Sequence, residues 1–172
     1  ATPRIDLQLA WSADELAYTA RSCNGCGRCR TLSADQRMCP IFRFAPREEA
    51  SPRAKANLMR GVLTGRLDAE ELTGDDLKEI ADLCVNCHQC RLECPASVDI
   101  PRLMVEAKAQ YVNTNGLRLS DWLTIRLDRL ARWSSRLSPF YNWAIANRTM
   151  RWLMAKLLGV AQGRKLPRIA RR

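Results

Sequence analysis

The chain has 172 residues, 47% of them hydrophobic, with a formal net charge of +10. That supplies a core for one ordinary domain, or for a small domain with an appendage. No run approaches the ~18 consecutive apolar residues of a membrane span. Residues 1 to 13 lack the apolar stretch of a secretory signal, so the eight cysteines are expected as reduced thiols in the cytoplasm.

In chain order, residues 1–12 show no periodicity and read as an extended lead-in. Ser12 with Glu15 forms a capping-box pattern before Leu16, Ala17 and Ala20, which predicts a short helix. That helix delivers the chain to Cys23, Cys26 and Cys29. Gly25 and Gly27 relieve backbone crowding in this loop. A polar segment follows, then Cys39 and Pro40, then Ile41, Phe42 and Phe44, which are apolar enough to shield a buried group from water. Ser51-Pro52 is a helix start, a hydroxyl N-cap before proline at the first helical position. Its helix carries Ala54, Leu58 and Met59 and is expected to end near Gly61 or Gly65, with Arg53, Lys55 and Arg60 as solvated charges. Another helix is predicted after Thr73, where Asp75 and Asp76 favour the dipole. It runs through Leu77, Ile80, Ala81 and Leu83 into the second cysteine run.

That run holds Cys84, Cys87, Cys90 and Cys94, with Pro95 directly after. On a regular helix Cys84 and Cys90 would point about 120° apart, so one metal ion on a helix face uses this spacing poorly. A loop wrapped around a multi-metal body uses it well. The spacing C-x2-C-x2-C-x3-C-P is the bacterial iron–sulfur run, whose fourth cysteine ligates the other cluster when two runs are present. Crossed ligation assigns Cys23, Cys26, Cys29 and Cys94 to one [4Fe–4S] cluster, and Cys84, Cys87, Cys90 and Cys39 to the other. The first run departs from the pattern, since nine residues rather than three precede Cys39. Asn86 is suited to a left-handed position in the second loop. Pro40 and Pro95 turn the chain away.

Three other chemistries fit parts of the pattern. Disulfides need a secreted context, and zinc sites normally show paired C-x2-C units rather than triplets. Cys84 to His88 matches the C-x-x-C-H haem attachment motif, but that leaves Cys90, Cys94 and the first run without a role. His88, the sole histidine, is expected beside the ligands or at the surface. Iron–sulfur accounts for all eight cysteines.

After Asp99-Ile100-Pro101 a further helix carries Leu103, Met104, Ala107 and Tyr111. No strand signal of any length appears, so the expected fold is all-α, with a two-cluster domain over residues 13–116. Residues 117–172 differ in character. They hold 13 basic and 2 acidic side chains, leaving 15 and 16 in the rest of the chain, and four of the five tryptophans. Leu119, Leu123, Leu127, Leu130, Trp133 and Leu137 predict one amphipathic helix, broken at Ser138-Pro139. A second is predicted through Trp143, Ile145, Trp152, Leu153 and Leu157, ending near Gly159 or Gly163. Three roles suit this tail: packing on itself and the cluster domain, docking to another domain or partner, or lying on a membrane surface. Packing or docking is favoured, because stripes this regular are usually buried in protein.

The two cysteine runs, Met38-Cys39-Pro40, the stretch from Ser51 to Arg60, and Val98 to Pro101 together resemble the helical ferredoxin module of flavin-linked dehydrogenases. The likeness is to proteins that fuse an FAD-binding D-2-hydroxyacid dehydrogenase, of D-lactate or glycolate type, to an iron–sulfur region. Similar modules occur in the iron–sulfur subunits of glycolate oxidase, anaerobic glycerol-3-phosphate dehydrogenase and heterodisulfide reductase. The resemblance covers residues 12–115 well and the tail weakly. It implies an electron-transfer part of an oxidoreductase, with FAD and the substrate site on a partner or another domain. It also implies a downstream acceptor, such as a cysteine-rich CCG-type domain or a quinone-linked one, and allows peripheral contact at the inner face of the membrane. Beginning Ala-Thr without methionine, the sequence reads as a piece of a longer protein. The rival reading is a zinc-structured nucleic-acid binder with a basic tail. Against it, leucine and tryptophan stripes occupy the faces of the tail, and no nucleic-acid partner is expected.

Overall fold

The computed structural model describes residues 6–170, and among them there are helices and no strand. The chain divides into two compact units, Ala1–Gly116 and Leu117–Arg172.

In the first unit the helix starts follow the capping chemistry. Helix α1 (Ala13–Arg21) has the full capping box. Ser12 Oγ accepts from Glu15 N–H at 3.2 Å, and Glu15 Oε2 accepts from Ser12 N–H at 3.0 Å. A short α2 (Pro40–Phe44) begins at the proline after Cys39, so Pro40 opens a helix as well as turning the chain. Helix α3 (Pro52–Leu63) starts on buried Ser51, which accepts from Ala54 N–H at 3.1 Å. Helix α4 (Asp75–Asp82) carries both predicted aspartates in its first turn. After the second cysteine loop come α5 (Gln89–Glu93) and the long α6 (Ile100–Asn115), capped by Asp99.

Helix α6 packs on α4 and α3, and α3 packs on α1. Leu16, Met59, Val62, Leu77, Leu103 and Met104 meet in the core. Burying such side chains stabilises by about 1.5–3 kcal/mol each. The lead-in is tied to the same frame. Glu106, itself buried, accepts from the N–H of Gln8 at 2.8 Å, of Leu9 at 3.0 Å and of the Trp11 indole at 3.0 Å. Gln110 donates a fourth hydrogen bond to it at 2.8 Å. Residues 1–5 of the predicted lead-in lie outside the described residues.

Three expectations change. Lys55 is buried, not solvated, and Arg60 is partly covered. Phe42 is buried, but Phe44 is 90% exposed and shields nothing. The tail, expected as two helices, forms four: α7 (Leu119–Ile125), α8 (Leu127–Arg136), α9 (Ser138–Ala146) and α10 (Arg148–Leu158). The long stripe breaks at Arg126, whose guanidinium lies 4.2 Å from the Trp122 ring centroid. Ser138-Pro139 starts α9 rather than merely ending α8, because proline suits a first helical turn. Asn147 caps α10 by accepting from the N–H of Thr149 and Met150, and left-handed Gly159 closes it. Within this second unit Ile145 and Ser138 are buried, while Trp133, Trp143, Trp152 and Phe140 remain more than half exposed.

Candidate iron–sulfur centres

Each cysteine loop follows a helix and uses the same backbone device. Ser22 ends α1 and hands the chain to Cys23; Leu83 ends α4 and hands it to Cys84. Gly25 (φ 73°) and Gly27 (φ 74°) are left-handed in the first loop, and Asn86 (φ 55°) and His88 (φ 60°) are left-handed in the second. Left-handed residues between ordinary ones curl a loop so that successive N–H groups face inward, which forms a cradle for negative charge. Asn24 Oδ1 tightens the first loop by accepting from Cys26 N–H at 3.1 Å.

A cation fixes the start of each loop. Arg60 Nη1 of α3 donates to the Cys23 carbonyl at 3.4 Å, and Lys108 Nζ of α6 donates to the Cys84 carbonyl at 2.9 Å. Sequence reasoning does not find this matched pair, because helical charges separated from the loops by tens of residues carry no local signal. His88 is exposed, as expected. Its left-handed backbone is not foreseen from the sequence, since glycine or asparagine is the usual marker.

The eight thiols line two cavities. The first is walled by Cys23, Cys26, Cys29 and Cys94, with Cys90 also at its border. The second is walled by Cys39, Cys84, Cys87 and Cys90. Pro52, Cys90 and Ile100 line both, so the cavities stand back to back with single side chains between them. Among the described residues no three His, Cys, Asp or Glu side chains are gathered tightly enough to share one metal ion. Four thiols spaced around a cavity suit a polyatomic body with a metal at each corner, and the donor set fits a [4Fe–4S] cluster.

Electrostatics around the sulfurs agree with that fit. Burial pushes the Cys90 thiol up to about 12, and the neighbouring Cys84, Cys39 and Cys87 add to the effect. Burial likewise raises Cys29, while the Arg53 N–H pulls it down and Cys23 pushes it up. Thiols crowded together out of water resist ionising until a cation neutralises them, as binding iron does. Nearby, Glu48 joins Arg53 at 2.8 Å and Arg30 at 3.1 Å, tying α3 to the first loop. The hydrogen bond from Arg53 holds the Glu48 carboxyl below its ordinary range.

Two thiol-walled cavities on a helical frame suit a dicluster iron–sulfur module. Residues 19–98 match the family described as 4Fe-4S dicluster domain. The chain is similar to D-2-hydroxyglutarate dehydrogenase of Escherichia coli (strain K12), with 25% identity over 91% of this chain and 19% of that protein. It is also similar to the "Probable glycolate oxidase iron-sulfur subunit" of Bacillus subtilis (strain 168), with 30% identity over 51% of this chain and 18% of that protein. The chain thus spans about a fifth of the length of each. No solved structure matches it. The resemblance to helical two-cluster modules is borne out, and with it the all-α class and the role in electron transfer.

Proposed function

We propose that the chain relays single electrons through two [4Fe–4S] clusters, from an FAD-containing D-2-hydroxyacid dehydrogenase domain or subunit to a downstream acceptor. The observation that carries this is the pair of back-to-back cavities, which between them are walled by all eight cysteines, with Cys90 bordering both. In this reading Cys23, Cys26, Cys29 and Cys94 hold one cluster, and Cys39, Cys84, Cys87 and Cys90 hold the other. Each cluster, when bound, takes up and gives back one electron. A flavin that has accepted a hydride holds two electrons, so two one-electron sites in sequence discharge it stepwise.

The chain's own residues hold and insulate. The left-handed residues curl each loop, Arg60 and Lys108 fix the loop entrances, and Pro52 and Ile100 form the shared wall. Cys26 and Cys87, the middle cysteine of each triplet, are exposed, which brings each site near the surface for electron entry and exit. The similarity to a D-2-hydroxyglutarate dehydrogenase and to a glycolate oxidase subunit supports a D-2-hydroxyacid as the ultimate electron source. The acceptor is assigned as a cysteine-rich CCG-type domain or a quinone-linked one, in a cytoplasmic setting with peripheral membrane contact allowed. No helix among the described residues is long and apolar enough to cross a membrane.

Mixing the loaded 172-residue chain with an FAD-containing D-2-hydroxyacid dehydrogenase domain and its substrate tests the proposal. Substrate-dependent bleaching of the cluster absorbance, with a paramagnetic signal from the reduced clusters, is expected. Clusters that dithionite reduces but the reduced flavoprotein does not would overturn the assigned donor.

A further inference from the structure

Lys55 lies on α3, inside the Ser-Pro-Arg-Ala-Lys stretch, and is 1% exposed. Its side chain forms part of the wall of the second cavity, beside Cys39, Cys84, Cys87 and Cys90. The Nζ donates to the Ala50 carbonyl at 2.8 Å, and Cys39 Sγ reaches the same oxygen at 3.9 Å. An ammonium and a thiol of the cavity are therefore held against one backbone atom. No carboxylate among the described residues pairs with Lys55. A buried charge without a counter-ion is costly and is rarely kept.

The first cavity is built differently. Two arginines line it, but Arg28 is exposed to solvent, and Arg53 is partly exposed and already shared with Glu48. A fixed positive charge beside an anionic centre stabilises the form with one more electron over the form without it, more strongly where water is excluded. Cluster potentials respond to this local charge and to solvent exposure.

We propose that Lys55 is the counter-charge built into the second site, and that it sets that cluster at a higher reduction potential than the first. Electrons arriving at the Cys23, Cys26, Cys29 and Cys94 site then run on to the Cys39, Cys84, Cys87 and Cys90 site, giving the relay a direction. This inference rests on the electron-relay reading.

The test is a redox titration of the loaded 172-residue chain, followed by paramagnetic resonance, on wild type, Lys55→Met and Lys55→Gln. Methionine keeps the length without the charge, and glutamine also keeps a donor for Ala50. Cys87→Ser, which perturbs the second site, assigns the signals. In wild type the higher potential is expected at the second site. In both Lys55 variants that site should lose at least tenfold in its reduction equilibrium, which is about 59 mV for one electron, with the first site unmoved. An unmoved second site, or an equal fall at both, overturns the proposal. If the variants fail to hold clusters, the wild-type order decides: a higher potential at the first site overturns it. A wild type with no cluster signal at all would instead sink the relay reading beneath it.

Discussion

Gly27 and His88 occupy the same left-handed backbone, at φ 74° and φ 60°, each four residues after the first cysteine of its loop. Each also begins the helical turn that carries the third cysteine: residues Arg28–Arg30 after Gly27, and α5 after His88. The two sites are thus one backbone solution written twice with different residues.

His88→Gly should therefore be tolerated or mildly stabilising in the loaded protein, since glycine adopts this conformation without a Cβ penalty. Gly27→Val should destabilise by about 1–2 kcal/mol. The cost would be conformational, because a Cβ at residue 27 meets only an Arg53 side-chain atom at 3.9 Å. Denaturant unfolding of the loaded variants measures both, and a neutral Gly27→Val would contradict the account.

Crossed ligation makes a separate prediction. Cys94 borders the first cavity although it belongs to the second run, and Cys39 borders the second although it belongs to the first. Cys94→Ala should damage the cluster of Cys23, Cys26 and Cys29 and spare the other, and Cys39→Ala should do the reverse. Resonance spectra of the two variants separate the cases. Loss of each cysteine's own-run cluster would show that the ligands do not cross.

Glu106 is predicted to fasten the lead-in. Glu106→Ala strips one carboxylate from four donors, of which the Trp11 indole and the Gln110 amide are buried, and leaving a buried donor unpaired costs about 1–3 kcal/mol. A loss of at least about 3 kcal/mol is expected, with a smaller loss for Glu106→Gln, which keeps one acceptor oxygen. Hydrogen exchange at the Gln8 and Leu9 amides should accelerate in the alanine variant. Unchanged exchange there would show that the lead-in is held by other contacts.

The helix starts at Ser12, Ser51 and Asp99 are legible in the sequence, because an N-cap is a local rule linking a side chain to amides two or three residues on. The cysteine runs are legible because cluster chemistry fixes ligand spacing. The burial of Lys55 is not, since the same α3 charge pattern serves a solvated face or a buried one, and only the packing of α3 against α6 and the cavity decides. The break at Arg126 is hidden as well. An amphipathic stripe records which face is apolar, not where the helix stops.

The tail carries a fourth prediction. Trp133, Trp143 and Trp152 are more than half exposed, so collisional quenchers should reach them in the 172-residue chain. If the tail docks on a dehydrogenase domain or partner, its tryptophans become protected in that complex. A membrane role predicts instead that the chain floats with anionic liposomes at low salt and is released at high salt, as surface charges are screened. We expect protection on complex formation and no flotation. Salt-sensitive flotation without protection would reverse that assignment.

The central claim is that the chain holds two four-iron clusters, and the most direct measurement is iron and acid-labile sulfide per chain, on protein reconstituted without oxygen. The account predicts about eight of each, with a brown colour that dithionite bleaches. Near-stoichiometric tightly bound zinc with no labile sulfide would contradict it.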